Sequence, residues 1–253
     1  MKDTIRFEQM NNASFLRGKY DTAVVPVGSC ESHGDHLPFG TDALIAHELA
    51  LAVGGQLDHT VVLPPTYFGF SHHYRHQAMT VTIDQDTNIR LITDILTSLA
   101  YWKFKHVLVV NGHDGNIPAI DVAARNVRLK HPEMHIAALD AWWITGTNLL
   151  PPGTFEAWNG SGHGGEGETS LALSLIPQFV NMESARGMIP ELDGNVKEFW
   201  DFSEITRLGA TGDPRKATKK KGDAMRDVLV NYLVGYIRER RTSGWAHNPQ
   251  EPK

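Results

Sequence analysis

Residues 26–42 read "PVGSCESHGDHLPFGTD" and indicate both the architecture of the chain and the position of a functional site. Together with the preceding apolar, β-branched residues they predict a buried strand over 22–28, "TAVVPVG". Acidic residues and histidines follow directly, among them Glu31, His33 and Asp42. Because such side chains are costly to bury without partners, their concentration at a strand end indicates a site.

The composition describes an ordinary soluble globular protein and excludes several functions. A net charge of −5 gives no sign of a surface for nucleic acid, and we interpret the one basic cluster, at 219–221, as a solvated face. A single cysteine excludes an internal disulfide framework and suits a reducing cytoplasm. The first residues lack a signal-peptide pattern, and no apolar run approaches the ~20 residues of a membrane span. We therefore expect a cytoplasmic protein that binds neither nucleic acid nor membranes.

Apolar runs alternate with amphipathic segments along most of the chain. Strands are predicted at 22–28, 60–65, 79–83, 106–110 and 135–142, and helices at 43–53, 86–102, 117–130 and near the C-terminus. Such alternation is typical of a mostly parallel sheet covered on both faces. The sequence thus predicts an α/β protein, a three-layer α/β/α sandwich, in one domain spanning 1–253.

Polar clusters follow two of the predicted strands. One begins at Glu31, and the other contains His113 in "NGHDGN" after 106–110. Ligands of open parallel sheets bind beyond the carboxyl ends of the strands, so we expect these clusters to converge. Carboxylates and imidazoles without thiolates suit Zn²⁺, Mn²⁺ or Fe²⁺, and one aspartate could bridge two ions. Alone, Asp42 could instead cap the helix at 43–53.

Three segments, "PVGSCESHGDHLPFGTD", "VVNGHDGN" and "HGGEGETS", resemble the signature blocks of the creatininase (creatinine amidohydrolase) family. The resemblance spans roughly 20–180 in consistent order, with a weaker match at 216–223. It implies an α/β/α sandwich with a binuclear metal centre. Glu31, Asp42 and His113 would hold one ion, and His33 with the bridging Asp42 would hold the other. It also implies a homo-oligomer and suggests a hexamer.

The remaining ligand is where this chain departs from creatininase, which carries a glutamate two residues after the matching histidine. Gly115 stands there in this sequence. We expect Glu166 in the third block to replace that glutamate as a metal ligand. Glu168 is the second candidate, although a carboxylate at the start of a helix is also favoured by the helix dipole.

The resemblance also suggests roles around the metal site. His163 would be the catalytic proton shuttle, or would alternatively orient a ligand. His76 matches a histidine of a family loop whose Pro-Gly-Thr turn is replaced here by "AMT", so the substrate side of the pocket is altered. The tryptophans at 142, 143 and 158 would either line the pocket or pack in the core.

The predicted function is a metal-dependent amidohydrolase with two divalent ions per chain, Zn, Mn or Fe. A metal-activated water would cleave a C–N bond in a small cyclic amide or formamide. Alternatives within the family are a deformylase and a peptide-trimming enzyme. Alternatives from other classes are a thiol hydrolase using Cys30 and a non-catalytic metal-binding protein.

Overall fold

A four-stranded parallel sheet forms the centre of the protein. The computed structural model describes residues 5–192, 196 and 198–246. Within them the strands lie in the order β2-β1-β3-β4, with bounds β1 Thr22–Val27, β2 Thr60–Val62, β3 His106–Asn111 and β4 His135–Leu139. All three pairings are parallel.

Helices connect the strands and cover both faces of the sheet. In chain order they are α1 Asn12–Gly18, α2 Thr41–Gly54, α3 Gln85–Tyr101, α4 Ile117–Lys130, α5 Trp142–Leu149, α6 Glu166–Leu175, α7 Phe202–Ile205 and α8 Lys219–Thr242. The four predicted helices are confirmed as α2, α3, α4 and α8. The strand predicted at 79–83 is wrong as a sheet member. Val81 and Thr82 are extended, but they bridge the loop residues Cys30 and Gly69 instead of a strand edge.

The core divides into two layers because side chains alternate along each strand. Val24 and Leu108 point to the face covered by α2, α6 and α8. Val25 and Val109 point to the opposite face, covered by α3 and α4. Burying one such side chain contributes about 1.5–3 kcal/mol, so both faces must be covered for these strands to be stable. The predicted three-layer α/β/α sandwich is confirmed.

The strand order places the polar loops together. β1 pairs with β2 on one side and with β3 on the other, and Val27 at the end of β1 is in register with Asn111 at the end of β3. The loops that follow β1 and β3 therefore leave the sheet at the same edge, where its connectivity changes direction. None of the helices in the described part of the chain combines the length and apolar character that a membrane crossing requires.

Candidate metal centre

Candidate ligands converge at this edge in three overlapping groups. Two of them contain Asp42: Glu31, Asp42 and His113 form one, and His33, Asp42 and Glu168 form the other. Glu31, His33 and His163 form the third, and within each group the candidate ligand atoms lie within 4.8 Å of one another. Asp42 faces the two groups that contain it with different oxygens: Oδ2 lies 3.2 Å from Nδ1 of His113, and Oδ1 lies 2.8 Å from Nε2 of His33.

Backbone packing brings the two loops this close. Asp42 is the second residue of α2, and its side chain is 2% exposed and faces the cluster. The alternative that Asp42 caps the helix is wrong, since Gly40 holds the cap position. Gly112 follows β3, and a Cβ there would lie 2.1 Å from the main-chain oxygen of Asp42. The loop after β3 therefore approaches α2 as closely as it does because residue 112 has no side chain.

Three histidines at the centre are oriented in the same way. In each ring, one nitrogen donates to a main-chain carbonyl oxygen: His33 Nδ1 to Glu31 (3.1 Å), His113 Nε2 to Phe70 (2.9 Å) and His163 Nε2 to Ser32 (2.5 Å). A carbonyl oxygen only accepts, so these nitrogens carry the protons. The other nitrogen of each ring then points toward the carboxylates, the arrangement usual for histidines that bind metal.

Several atoms of the cluster are buried without a hydrogen-bond partner. They are both carboxylate oxygens of Glu31, Oδ2 of Asp42 and Nε2 of His33. The close His33–Asp42 contact does not have hydrogen-bond alignment. Buried polar groups are nearly always satisfied, and these belong to side chains whose candidate ligand atoms lie close to one another. The donor set of carboxylate oxygens and imidazole nitrogens fits divalent cations.

In the protein without metal, protons on the histidines balance the negative charge of the carboxylates. Burial lowers the pKa of His33, but Asp42 and Glu168 outweigh it and raise that pKa to about 10. The pKa of His113 also lies well above its ordinary value, because Glu31 and Asp42 outweigh burial. Burial raises the pKa of Glu168 to about 7. Divalent cations would displace the histidine protons and neutralise the same carboxylates.

Glu166 lies outside this cluster, and the expectation that it faces the metal site is wrong. Its side chain is 0% exposed; Oε1 pairs with Nζ of Lys221 at 2.5 Å, and Oε2 accepts from the main-chain N–H of Glu156 (2.9 Å) and Ala157 (2.7 Å). The reason is that α6 already begins at Glu166. Residues two apart on a helix point about 200° apart, so only one of Glu166 and Glu168 can face the cluster.

The prediction that residues 219–221 form a solvated face is therefore wrong for Lys221. Its side chain is 16% exposed and bonds both Glu166 and Glu156. Lys219, by contrast, is 61% exposed and pairs with Asp223 along α8, as a surface lysine does.

Gly115 has a role of its own in holding His113. A Cβ at residue 115 would lie 2.0 Å from the main-chain oxygen of Phe70 and 2.6 Å from Nε2 of His113. The carbonyl that orients the histidine therefore occupies the space where a side chain would begin. The glutamate expected from the resemblance could not be placed here unless the Phe70 backbone moved.

His163 and Tyr74 stack beside the cluster. The two rings are 4.4 Å apart at an interplanar angle of 29°, and His163 also contacts His33 at 4.0 Å. Burial, followed by the charge of His33, holds the pKa of His163 well below its ordinary value, so the ring is neutral. Sequence reasoning missed Tyr74 and singled out His76, which is 58% exposed and lies near Asp201 at 3.5 Å. The spacing of the "SHHYRH" segment could not show which residue turns inward.

A cavity of about 450 Å³ opens onto the cluster at Asp42, His113 and Glu168. Its walls are largely aromatic and aliphatic: Tyr74, Trp143, Ile144, Trp158, Leu192, Trp200, Phe202 and Ile205. Trp143 and Trp158 thus line the pocket, whereas Trp142 is 1% exposed in the core. The lining described contains the acidic residues Asp42, Asp114 and Glu168 and neither lysine nor arginine.

Fold and site together define a candidate metal-binding α/β protein, and comparison with known proteins gives its family. The family model for creatininase, described as creatinine amidohydrolase, matches residues 8–237. The chain belongs to the creatininase family. The resemblance of the three sequence blocks is confirmed.

Curated relatives differ in activity. The mycofactocin precursor peptide peptidase of Mycobacterium tuberculosis strain H37Rv is 29% identical over 250 residues, covering 94% of this chain and 90% of the relative. The creatinine amidohydrolase of Pseudomonas putida is 26% identical and covers 85% and 88%. A solved structure described as "Creatininase Mn" superimposes with a TM-score of 0.80 at 22% identity, covering 94% of this chain and 99% of that one, and a mutant creatininase is described as Zn-Zn type.

Proposed function

We propose that this protein is a binuclear metal-dependent hydrolase of amide C–N bonds. The observation that supports this most directly is that Asp42 belongs to two groups of candidate ligands, which together hold four buried atoms without a hydrogen-bond partner. Glu31, Asp42 and His113 would hold one divalent cation, and His33, Asp42 and Glu168 the other. When bound, the cations supply Lewis acidity and lower the pKa of water toward neutrality.

His163 would move the proton during hydrolysis. Its Nε2–H donates to Ser32, so Nδ1 is the free nitrogen, and it lies 3.8 Å from Oε1 of Glu31. The neutral ring can accept a proton at Nδ1 from the attacking water and return it to the leaving nitrogen. Glu31, His33 and His163 also satisfy the distance criterion for a metal group, so metal content of His163→Ala separates the two roles. A proton carrier leaves the cation number unchanged, and a ligand lowers it.

The cavity favours an amide larger than the small cyclic amide or formamide expected from sequence. A volume of about 450 Å³ lies within the range of pockets that enclose drug-sized molecules, and its walls are mainly apolar. We therefore favour the peptide-trimming alternative, an amide that carries an apolar or aromatic group. Two curated relatives named as a peptide peptidase and a creatinine amidohydrolase support hydrolysis of either kind of amide.

Features of the site weigh against the two alternatives from other classes. A structural metal site closes its shell with protein ligands, whereas a cavity adjoins this cluster. Burial, then Asp42 and Glu31, raise the pKa of Cys30, which disfavours the thiolate that a nucleophile requires. We expect Cys30→Ser to keep most of the activity.

The direct test combines metal analysis with a substrate screen. Purified protein should bind two divalent cations per chain by mass spectrometry, and chelation should abolish activity that Zn²⁺ or Mn²⁺ restores. Short peptides with aromatic ends, cyclic amides and formamides would be compared by release of amine or formate. Full metal loading without turnover of any amide would contradict the proposal. We also propose a homo-oligomer, with a hexamer as the assembly that the resemblance suggests; size-exclusion chromatography with light scattering would measure the number of chains.

A further inference from the structure

We propose that Tyr74 is a catalytic residue of this site, and that its hydroxyl donates a hydrogen bond to the substrate carbonyl oxygen as negative charge develops there. The inference rests on the proposed amide hydrolysis. It adds a residue that neither the sequence blocks nor the metal groups contain.

The Tyr74 ring is fixed between the metal cluster and the cavity wall. It stacks on His163 at 4.4 Å, packs against Phe202 at 4.4 Å and lies 6.2 Å from the ring of His113. The residue is 7% exposed, and it lines the cavity that opens onto Asp42 and His113. A substrate carbonyl near the metal ligands would therefore lie beside this ring.

The loop that carries Tyr74 is held in place by hydrogen bonds. The main-chain N–H of Ser71 donates to Oγ1 of Thr82 at 2.8 Å, and the hydroxyls of Ser71 and Ser29 are 2.6 Å apart. The N–H of Tyr74 donates to the Ser71 carbonyl at 2.9 Å. Donors that are already in position when charge develops require no reorganisation, which is the property that makes them effective in catalysis.

Within the described residues the hydroxyl itself makes no hydrogen bond to another protein group. A largely buried tyrosine usually bonds its hydroxyl to a protein group. Glu31, Asp42, Glu168 and Asp114 all act on this phenol, after burial, to raise its pKa well above the ordinary value. The phenol therefore keeps its proton, and the residue that carries it lines the cavity at the cluster.

Tyr74 would stabilise charge without transferring its proton. The water oxygen bonds to the carbonyl carbon, the C–O electron pair moves onto the carbonyl oxygen, and the hydroxyl of Tyr74 donates to that oxygen. When the carbonyl re-forms, the C–N bond breaks and His163 supplies the proton to the nitrogen. Atoms and charge balance with water as the co-reactant, and Tyr74 ends as it began.

Tyr74→Phe tests this role because it removes the hydroxyl oxygen and keeps the ring. We expect kcat to fall about 100-fold, KM to change less than about threefold, and the melting temperature and cation number to stay at wild-type values. Tyr232→Phe, in the exposed part of α8, is the matched control and should match wild type. A kcat within threefold of wild type, or loss of cations in Tyr74→Phe, would overturn the catalytic role.

A binding measurement separates this inference from the proposed function. Inorganic phosphate, a tetrahedral oxyanion, would be titrated calorimetrically into metal-loaded wild type and Tyr74→Phe. We expect about tenfold weaker binding to the variant, the effect of one lost hydrogen bond. Equal affinity would overturn the role of Tyr74, whether or not a substrate is known. Failure of wild type to hydrolyse any amide, with phosphate binding still dependent on Tyr74, would refute the proposed reaction alone.

Discussion

Glu166 and Glu168 lie two residues apart and should respond to the same substitution in opposite ways. Glu166→Gln removes a buried negative charge from Lys221, whose Nζ lies 2.5 Å away, and should lower stability while both cations remain. Glu168→Gln removes a carboxylate that faces His33 at 3.7 Å, and should release one cation with little change in the stability of metal-free protein. The two variants form a matched pair with identical chemistry.

The loss of folding stability expected for Glu166→Gln follows from the contacts of Glu166. Removing one partner of a buried ion pair costs about 3–5 kcal/mol. Glutamine can still accept from Glu156 and Ala157, and Lys221 keeps its contacts with Glu156 and the Lys216 carbonyl. We therefore expect about 2–3 kcal/mol, which for a chain of this size lowers the melting temperature by roughly 5–10 °C. Because burial already raises the pKa of Glu168 to about 7, neutralising it should cost less than about 1 kcal/mol.

Thermal unfolding in chelator and metal analysis after reconstitution measure the two effects separately. Lys221→Met should destabilise to a similar extent as Glu166→Gln, and the double variant should cost less than the sum of the single changes, because the two residues interact. A Glu166→Gln protein that melts like wild type but binds one cation would refute the placement of Glu166. A Glu168→Gln protein with both cations would refute the assignment of Glu168.

Three further perturbations test other parts of the site. Asp42→Ala should release most of both cations and His33→Ala about one, because Asp42 is shared by the two proposed ligand sets and His33 belongs to one of them; two cations per chain in Asp42→Ala would contradict the shared role. Gly115→Ala should weaken metal binding about 10- to 100-fold, since its Cβ would displace the carbonyl that orients the histidine after β3, whereas Gly235→Ala, with open space around it, should not. His36, whose pKa burial lowers to about 4, binds its proton more readily when unfolded, so stability should fall by about 2–3 kcal/mol between pH 6.5 and 4. His36→Gln should lose less stability over this pH range, as measured by urea titrations. A pH dependence identical to that of wild type would contradict the lowered pKa of His36 as its cause.

The layered fold could be predicted because its signals are local and repeated. The apolar run at 106–110 and the amphipathic spacing of α3 are visible in any short window, and their alternation determines the architecture. The segment at 79–83 shows the limit of that reasoning. Its alternating pattern correctly indicates an extended backbone, but which partner it pairs with depends on the path of the loop after β1.

The site was predictable where its ligands lie between β1 and the first turn of α2, or directly after β3. Glu31, Asp42 and His113 met as expected because β1 and β3 end in register. The choice between Glu166 and Glu168 depended on the first residue of α6, and a shift of two residues reverses the side that a helical residue faces. Sequence-based helix ends are uncertain by at least that much.

The close approach of the Phe70 carbonyl to Gly115 limits how the metal ligands of this site can change in evolution. A single substitution at residue 115 cannot add a carboxylate ligand, because the carbonyl would have to withdraw and the adjoining Ser71–Tyr74 loop would shift with it. Exchange of the metal ligand and reshaping of the pocket wall must therefore occur as a coupled pair of mutations. We expect engineered transfers of substrate preference within this family to require both segments to be transplanted together.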